Sequence, residues 1–130
     1  MRSWFAGLVM VATLGWAATA GAQGYPSRPI TLVVPFPAGG PTDLIARTLS
    51  PHLQQTLKQP VVVENQPGAN GILGVGRVAR AASDGYTLVI GHWSTHVVNA
   101  VVYPYAYDVI KNFEPISLLT SNAYLIVANH

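Results

Sequence analysis

Residues 30–43 have the sequence ITLVVPFPAGGPTD, and this stretch decides the fold. Its first five residues, Ile30–Val34, are mostly apolar, which is typical of a strand buried on both faces of a parallel sheet. Apolar side chains then recur every four residues from Ile45 to Leu57 and predict an amphipathic helix over 44–57. Within this helix, Pro51 predicts a kink or a division into two pieces. The turn before the helix exposes backbone N–H groups at a helix N-terminus, where the helix dipole favours an anion.

The order of strand, turn and helix occurs two more times along the chain. These repeats predict an α/β fold with a doubly wound parallel sheet and right-handed crossovers. Because ligands of such sheets bind at the carboxyl ends of the strands, the three turns are expected to share one site. The further expected segments are a strand at 60–64, a glycine-rich turn at 65–71, a helix at 75–82, a strand at 87–91, a polar turn at 92–96, a short helix at 97–102, one helical turn at 108–112, and strands at 113–120 and 124–128.

Residues 1–22 have the pattern of a secretory signal peptide. Arg2 is followed by the apolar run 5–14 and then by Ala20-Gly21-Ala22, which has the small-residue pattern of a cleavage site. Cleavage near Ala22 is expected to leave residues 23–130 as one small exported domain. The alternative is a membrane anchor, but glycine and threonine interrupt the apolar run before it reaches the roughly 20 residues that a spanning helix needs.

Composition excludes several classes of function. Without residues 1–22 the chain has six Lys and Arg residues against five Asp and Glu residues, which is not the basic surface of a nucleic-acid-binding protein. The absence of cysteine excludes disulfides, a thiolate nucleophile and a Cys-based metal site. His92 and His96 lie four residues apart, but no third ligand is near them in the sequence, so no metal site is predicted.

The three turns contain the candidate ligand-binding residues. Their glycines and polar residues can form nests of N–H donors for a carboxylate, or they can serve only to turn the chain sharply. Asp43 is expected to orient backbone or water, or to accept a hydrogen bond from a ligand amino or hydroxyl group, since a carboxylate repels an anion. The candidates are Gly39, Gly40, Thr42 and Asp43 in the first turn, Gly68, Asn70 and Gly71 in the second, and Ser94, Thr95 and His96 in the third.

Three functions compete at this stage. The first is an exported receptor for a small carboxylate. The second is a dinucleotide-binding, Rossmann-like domain of an enzyme, with Glu64 about 20 residues past the first glycine turn as the ribose-binding acid. The G-x-G-x-x-G fingerprint of such domains is missing, however. The third is a hydrolase that uses Ser94 with His92 or His96, although the chain has no G-x-S-x-G elbow.

Five motifs, in order along the chain, resemble those of the Bug family, the periplasmic substrate-binding receptors of tripartite tricarboxylate transporters. The motifs are YPSRPI at 25–30, VPFPAGGPTD at 34–43, VENQPGA at 63–69, VARAA at 78–82 and DGYTL at 84–88. The resemblance implies a two-lobed, periplasmic-binding-protein-like fold of type II, the Venus-flytrap architecture. Residues 23–130 would then be the N-terminal lobe of a longer protein.

The resemblance also implies a function. Such a receptor is periplasmic, is not an enzyme, has no catalytic residue and needs no cofactor. It binds a mono-, di- or tricarboxylate or an acidic amino acid, and it delivers this ligand to membrane permease subunits. By motif, the carboxylate-binding role extends to Ala38 in the first turn and Ala69 in the second. Two departures from the family pattern stand near these turns: Gln66 where an arginine is common, and His92-Trp93 where smaller residues are usual.

Overall fold

A parallel sheet of three strands forms the centre of the structure, a computed structural model that describes residues 24–103 and 107–121. The strands are Ile30–Val34 (β1), Val61–Asn65 (β2) and Thr87–Val89 (β3). Their order is β2-β1-β3, and both neighbours pair with β1 in parallel. The chain therefore moves to one side of β1 and then crosses to the other, which confirms the doubly wound arrangement and places the reversal of strand order at β1.

Two helices connect the strands. Pro41–Leu57 (α1) joins β1 to β2, and Ile72–Ala79 (α2) lies between β2 and β3. α1 begins at Pro41, a position in the first turn where the missing N–H group of proline costs nothing. It continues past Pro51 as one helix, so the predicted division into two pieces is wrong. Its apolar stripe packs on the sheet, and this packing offsets the hydrogen bond that Pro51 cannot donate.

The core lies on both faces of β1, as the apolar sequence of this strand predicts. Four of its five residues are buried, and the strand packs against α1 on one face. On the other face, Val75 of α2 is completely buried. The cluster between the sheet and α1 consists of Ile30, Leu32, Val34, Ala46, Val61 and Ile90.

The segment after β3 differs from the prediction. The expected turn at 92–96 and helix at 97–102 are instead a π-helix, Ser94–Val98, followed by a short α-helix, Asn99–Val102 (α3). The hydroxyl of Thr95 accepts a hydrogen bond from the backbone N–H of His92 and donates to its carbonyl oxygen. These local bonds favour helical backbone from Ser94 onwards, so most of the expected turn at 92–96 is part of the helical segment.

The last described residues contain one expected feature and lack another. The backbone N–H of Asn112 donates to the carbonyl oxygen of Asp108 at 2.9 Å, which confirms one helical turn at 108–112. Residues 113–120 form no strand, so that prediction is wrong: the described residues pair with no backbone there, and a strand needs such a partner. The predicted signal peptide and the predicted strand at 124–128 lie outside the described residues. None of the described helices has the length and apolar character needed to cross a membrane.

Candidate functional site

The three turns meet at the carboxyl edge of the sheet. Gly71 of the second turn has φ +86°, and a Cβ atom placed on it would lie 2.6 Å from Cγ2 of Thr95 and 3.3 Å from the carbonyl oxygen of Pro35. Thr95 belongs to the third turn, and Pro35 directly precedes the first. Only a residue without a side chain allows this approach, and the expectation that the three turns share one edge is therefore confirmed.

The first turn forms most of a depression of about 530 Å³. The N-cap residue of α1 is Gly40, which has no side chain to accept hydrogen bonds from the N–H groups of the first helical turn. These groups and the helix dipole favour an anion in the depression. The chemistry of such a surface suits an anion with two or more acceptor oxygens. The residues around the depression are Phe36, Pro37, Ala38, Gly39, Gly40, Pro41, Thr42 and His92.

A larger cavity, of about 740 Å³, lies beside the first one. It extends along β3 towards residues 112–120, and most of its lining is apolar. Pro41, Thr42 and His92 line both cavities, whereas His96 lines only the larger one. The candidate site for an anion is the smaller depression, because it also includes Gly39 and Gly40 of the first turn, which the larger cavity lacks.

Asp43 holds the first turn in place. Its Oδ2 atom accepts hydrogen bonds from Nε of Arg47 at 2.9 Å and from the backbone N–H of Gly39 at 2.8 Å. Its Oδ1 atom accepts one from Nδ2 of Asn65 at 2.9 Å. The bond from Arg47, followed by those from Gly39 and Asn65, lowers the pKa of Asp43 to about 2. With its side chain only 4% exposed, the carboxylate orients the backbone of the turn, and the N–H group of Gly39 is directed to Asp43.

Asn65 and Arg47 complete this arrangement, and sequence analysis missed both. Asn65 donates to the carbonyl oxygen of Phe36 at 3.2 Å and accepts from a guanidinium nitrogen of Arg47 at 3.1 Å. Arg47 lies four residues after Asp43, the spacing at which side chains of opposite charge meet on a helix, and that signal could have identified it. Nothing in the sequence indicates that Asn65, the last residue of β2, turns towards α1.

The second turn has a left-handed backbone. Ala69, Asn70 and Gly71 have φ angles of 47°, 53° and 86°. Nδ2 of Asn70 donates to Oδ1 of Asn99 at 3.0 Å, and Nδ2 of Asn99 donates to the carbonyl oxygen of Asn70 at the same distance. Because Asn99 is only 1% exposed, this pair anchors the second turn on α3. Ala69 and Asn70 remain exposed beside the site.

In the third turn, Thr95 is enclosed by protein. Its side chain is completely buried, and its hydroxyl bonds to the backbone of His92 and lies 2.8 Å from Nδ1 of His96. The hydroxyl of Tyr107 donates to its carbonyl oxygen. Thr95 thus fixes the shape of the turn, and its hydroxyl is directed into the protein.

His96 and Ser94 of the same turn have different contacts. The His96 ring packs edge-to-face against Phe113 with 5.1 Å between centroids, and burial lowers its pKa. Ser94 instead contacts His92: Oγ of Ser94 lies 2.9 Å from Nδ1 of that ring. His92 lines the depression, and sequence analysis did not include it among the ligand-binding residues. Within residues 24–103 and 107–121, no three His, Cys, Asp or Glu side chains are close enough together to hold a metal ion.

A doubly wound sheet with a glycine-rich turn at its switch point is typical of α/β ligand-binding domains. The model of the tripartite tricarboxylate transporter family receptor matches residues 45–130. The chain belongs to this family, which confirms the resemblance noted from the motifs. The family consists of solute-binding receptors, so the dinucleotide-binding alternative is not favoured. Glu64, the expected ribose-binding acid, instead accepts a hydrogen bond of 2.6 Å from Arg77.

Individual relatives agree with this assignment. Protein BugT of Bordetella pertussis is 42% identical over 123 residues, which are 93% of this chain and 38% of BugT. The structure of MatC from Rhodopseudomonas palustris with bound malate is 47% identical, with a TM-score of 0.69 over 73% of this chain and 33% of that one. An R. palustris protein solved with adipate is 40% identical, with a TM-score of 0.54 over 55% of this chain and 24% of its own. The chain thus spans less than two fifths of the length of these relatives.

Proposed function

We propose that residues 23–130 are the N-terminal lobe of a periplasmic receptor that captures a small carboxylate for a tripartite tricarboxylate-type transporter. The observation that carries the proposal is the uncapped N-terminus of α1, which faces a depression at the point where strand order reverses. Backbone N–H groups there bind a carboxylate without a lysine or arginine, and the binding relies on a rigid turn. The network around Asp43 supplies that rigidity.

The relatives suggest the class of ligand. MatC was solved with malate and another relative with adipate, and both compounds are dicarboxylates. We therefore propose a mono-, di- or tricarboxylate or an acidic amino acid as the ligand of this receptor. In the two-lobed form, closure of the second lobe on the ligand would create the conformation that docks on the permease, because contacts made only in the closed form favour that form. The proposal includes no enzymatic step.

Among the candidates of the first turn, Thr42 and Gly40 are the best placed to contact the ligand. Both line the depression, and the N–H group of Thr42 belongs to the first turn of α1. In the second turn, Ala69 and Asn70 are exposed at the same edge of the sheet. These four residues form the proposed contact set, and Asp43 supports it from beneath.

A thermal-shift and calorimetric titration of the full chain, purified after export, tests this function. The panel comprises malate, adipate, citrate and glutamate, with NAD and ATP as controls. At 100 times its Kd, a bound acid is expected to add about 2.7 kcal/mol to the free energy of unfolding. A shift produced only by a nucleotide, or no shift with any acid, contradicts the proposal.

A pair of variants tests the location of the site. Thr42→Asp places a carboxylate in the first turn of α1. There the charge interacts favourably with the helix dipole but repels a bound anion. We expect it to weaken binding of the best acid in the panel about tenfold or more. Thr48→Asp, on an exposed position of the same helix, is the matched control and is expected to bind as the wild type does. Equal binding by both variants would contradict the proposed site.

Localisation has its own test. We propose that residues 1–22 direct export and are removed, so that the mature chain starts at Gln23. Fractionation of the cells that express the full chain, followed by mass measurement of the recovered protein, is expected to give the 23–130 product in the periplasm. Recovery of an unprocessed chain in the membrane fraction would favour the anchor instead.

A further inference from the structure

We infer that Asn99, a buried residue of α3, helps to set the affinity for the ligand by holding the second turn in its binding conformation. This inference rests on the proposed function and adds a positioning residue to its site, since Asn99 acts through Asn70 of the proposed contact set. Three observations carry it: the left-handed backbone of the second turn, the paired hydrogen bonds between Asn70 and Asn99, and a second buried contact one helical turn away.

The second turn has a backbone conformation that needs support from the rest of the protein. Ala69 and Asn70 have φ angles of 47° and 53°, although neither residue is a glycine. A residue with a Cβ atom is less stable in this left-handed conformation than in a right-handed one. Such residues persist where the surrounding contacts determine the conformation, and they cluster at binding sites. The residues that hold this turn therefore bear on binding.

The side-chain amide of Asn99 makes two hydrogen bonds to the second turn. Its Nδ2 atom donates to the backbone carbonyl oxygen of Asn70 at 3.0 Å, and its Oδ1 atom accepts from Nδ2 of Asn70 at 3.0 Å. Because a carbonyl oxygen can only accept, the orientation of both amides is determined. One bond fixes the backbone of the turn, and the other fixes the side chain of Asn70.

The two members of this pair differ in burial. Asn99 is only 1% exposed, whereas Asn70 is exposed at the edge of the sheet where the three turns meet. A buried amide costs free energy unless its polar atoms are hydrogen-bonded, and the second turn supplies a partner for both the Nδ2 and the Oδ1 atom of Asn99. The protein thus anchors an exposed residue of the proposed contact set from its interior.

A second buried residue of the same helical segment contacts the same turn. Thr95 of the π-helix and Asn99 of α3 are four residues apart, so they lie on one face of the segment. Thr95 is completely buried, and its Cγ2 atom lies 2.6 Å from the position that a Cβ atom on Gly71 would occupy. One helical segment therefore holds two consecutive residues of the second turn, Asn70 and Gly71.

A turn that is held in its bound conformation loses less conformational entropy when the ligand binds. Without the bonds from Asn99, the free receptor would populate other conformations of the second turn. The apparent affinity would then fall in proportion to the fraction of molecules that keep the competent conformation. Asn99 is thus expected to influence binding although it is buried and does not contact the ligand itself.

Asn99→Leu is the main variant, because leucine has nearly the same shape as asparagine and makes neither hydrogen bond. Titration of the full chain with malate, adipate, citrate and glutamate is expected to show an affinity for the best acid that is about 5- to 20-fold lower. Val61→Ala is the control: it removes two methyl groups from the core at the start of β2, away from the carboxyl edge. It is expected to lower stability and to leave the affinity unchanged.

Nuclear magnetic resonance provides a readout that a merely structural role would not change. In the wild type, the side-chain amide signals of Asn99 are expected to shift together with those of Asn70 as the best acid is added. In Asn99→Leu, the backbone signals of residues 68–71 are expected to show microsecond-to-millisecond exchange that Val61→Ala does not show. The wild-type measurement stands even if Asn99→Leu does not fold.

The outcomes separate the two proposals. If the wild type binds no acid in the panel, the proposed function fails, and this inference fails with it. If the wild type binds but Asn99→Leu binds equally well, or the Asn99 signals do not respond to the acid, the inference alone is overturned. It is also overturned if Val61→Ala loses as much affinity as Asn99→Leu. A loss of affinity confined to Asn99→Leu supports both proposals.

Discussion

The side-chain amide of Asn65 donates a hydrogen bond of 2.9 Å to the carboxylate of Asp43, and this bond joins the end of β2 to the first turn of α1. The same amide nitrogen donates to the carbonyl oxygen of Phe36, so the loop after β1 is held too. Two neighbouring strands and a helix are therefore connected at one point beneath the candidate anion site. The turn keeps its shape through the protein's own hydrogen bonds.

The Asp43 carboxylate makes the free energy of unfolding depend on pH at acidic pH. Its pKa is about 2 in the folded protein and 3.8 without these contacts, so its contribution is complete above pH 3.8 and is lost as the pH falls towards 2. Asp43→Asn is expected to be less stable at neutral pH, because its amide has one acceptor oxygen where the carboxylate has two, so its NH2 group faces either the donors of Gly39 and Arg47 or that of Asn65. Urea denaturation at a series of pH values is expected to show a shallower pH dependence between 4 and 2 in the variant.

Glu114→Gln is the control for this experiment because it removes an exposed carboxylate. It is expected to follow the wild-type stability profile closely. A variant Asp43→Asn with the wild-type slope between pH 4 and 2 would show that Asp43 does not accept these bonds in solution.

Loss of the Asn65 side chain is expected to weaken the link between β2 and the first turn of α1. Asn65→Ala removes the donor to Asp43 and to the carbonyl oxygen of Phe36 and is expected to cost about 1–2 kcal/mol of unfolding free energy. Asn112→Ala is the matched control: it removes an exposed amide that accepts a bond from the backbone of Asp108 and is expected to change stability by less than about 0.5 kcal/mol. Equal losses in urea denaturation would argue against a special role for Asn65.

The close approach of the three turns predicts that a single methyl group at Gly71 is not tolerated. Gly71→Ala combines a left-handed backbone with a Cβ atom 2.6 Å from Cγ2 of Thr95, and the expected loss is about 2–4 kcal/mol. Thr95→Ser removes that methyl group and keeps the hydroxyl, so it is expected to recover about 1 kcal/mol in the Gly71→Ala background.

Gly24→Ala is the control, since a Cβ atom at Gly24 has nothing within 4 Å. It is expected to be close to the wild type in a thermal melt. The contrary result is that Thr95→Ser lowers the free energy of unfolding by the same amount in the Gly71→Ala background as in the wild type. That result would show that Gly71 and Thr95 are not in the close contact described.

The parts of the fold that depend on local pattern were predictable from sequence. The bounds of β1, Ile30–Val34, agree with the prediction, because an apolar run before a glycine turn indicates a buried strand. Pro51 was misjudged because its cost is local, whereas the packing of α1 on the sheet that outweighs it is tertiary. The third turn was misjudged because Thr95 bonds to the backbone of His92, and side-chain bonds of this kind leave no periodic signal.

The candidate site shows the same division. The glycines and the motif at 34–43 predicted that the first turn belongs to the candidate site, and the structure places residues of this turn around a depression at the sheet edge. Asn65 and Asn99 could not be found, since each contacts a residue far away in sequence and neither has a distinctive local pattern. His92 was considered as a metal ligand, as a hydrolase residue and as larger than is usual, but not as a residue that lines the depression, because its orientation depends on Phe36 and Ser94.

The last prediction concerns backbone strain beside the site. Ala69 has φ 47°, a left-handed conformation that costs a residue with a Cβ atom roughly 1–2 kcal/mol. Replacement by glycine removes this cost and adds about 0.5–1 kcal/mol of unfolded-state entropy. Ala69→Gly is therefore expected to be as stable as the wild type or up to about 1.5 kcal/mol more stable in urea denaturation.

Ala79→Gly is the matched control for Ala69→Gly, because Ala79 is the last residue of the right-handed helix α2. It is expected to lose up to about 1 kcal/mol, since glycine is a poor helix former. The opposite signs of the two substitutions test the backbone conformation itself, because both remove one methyl group from an alanine. A loss at Ala69 as large as that at Ala79 would mean that the second turn is not left-handed in solution. The part of the proposed site that Ala69 and Asn70 form would then have a different shape.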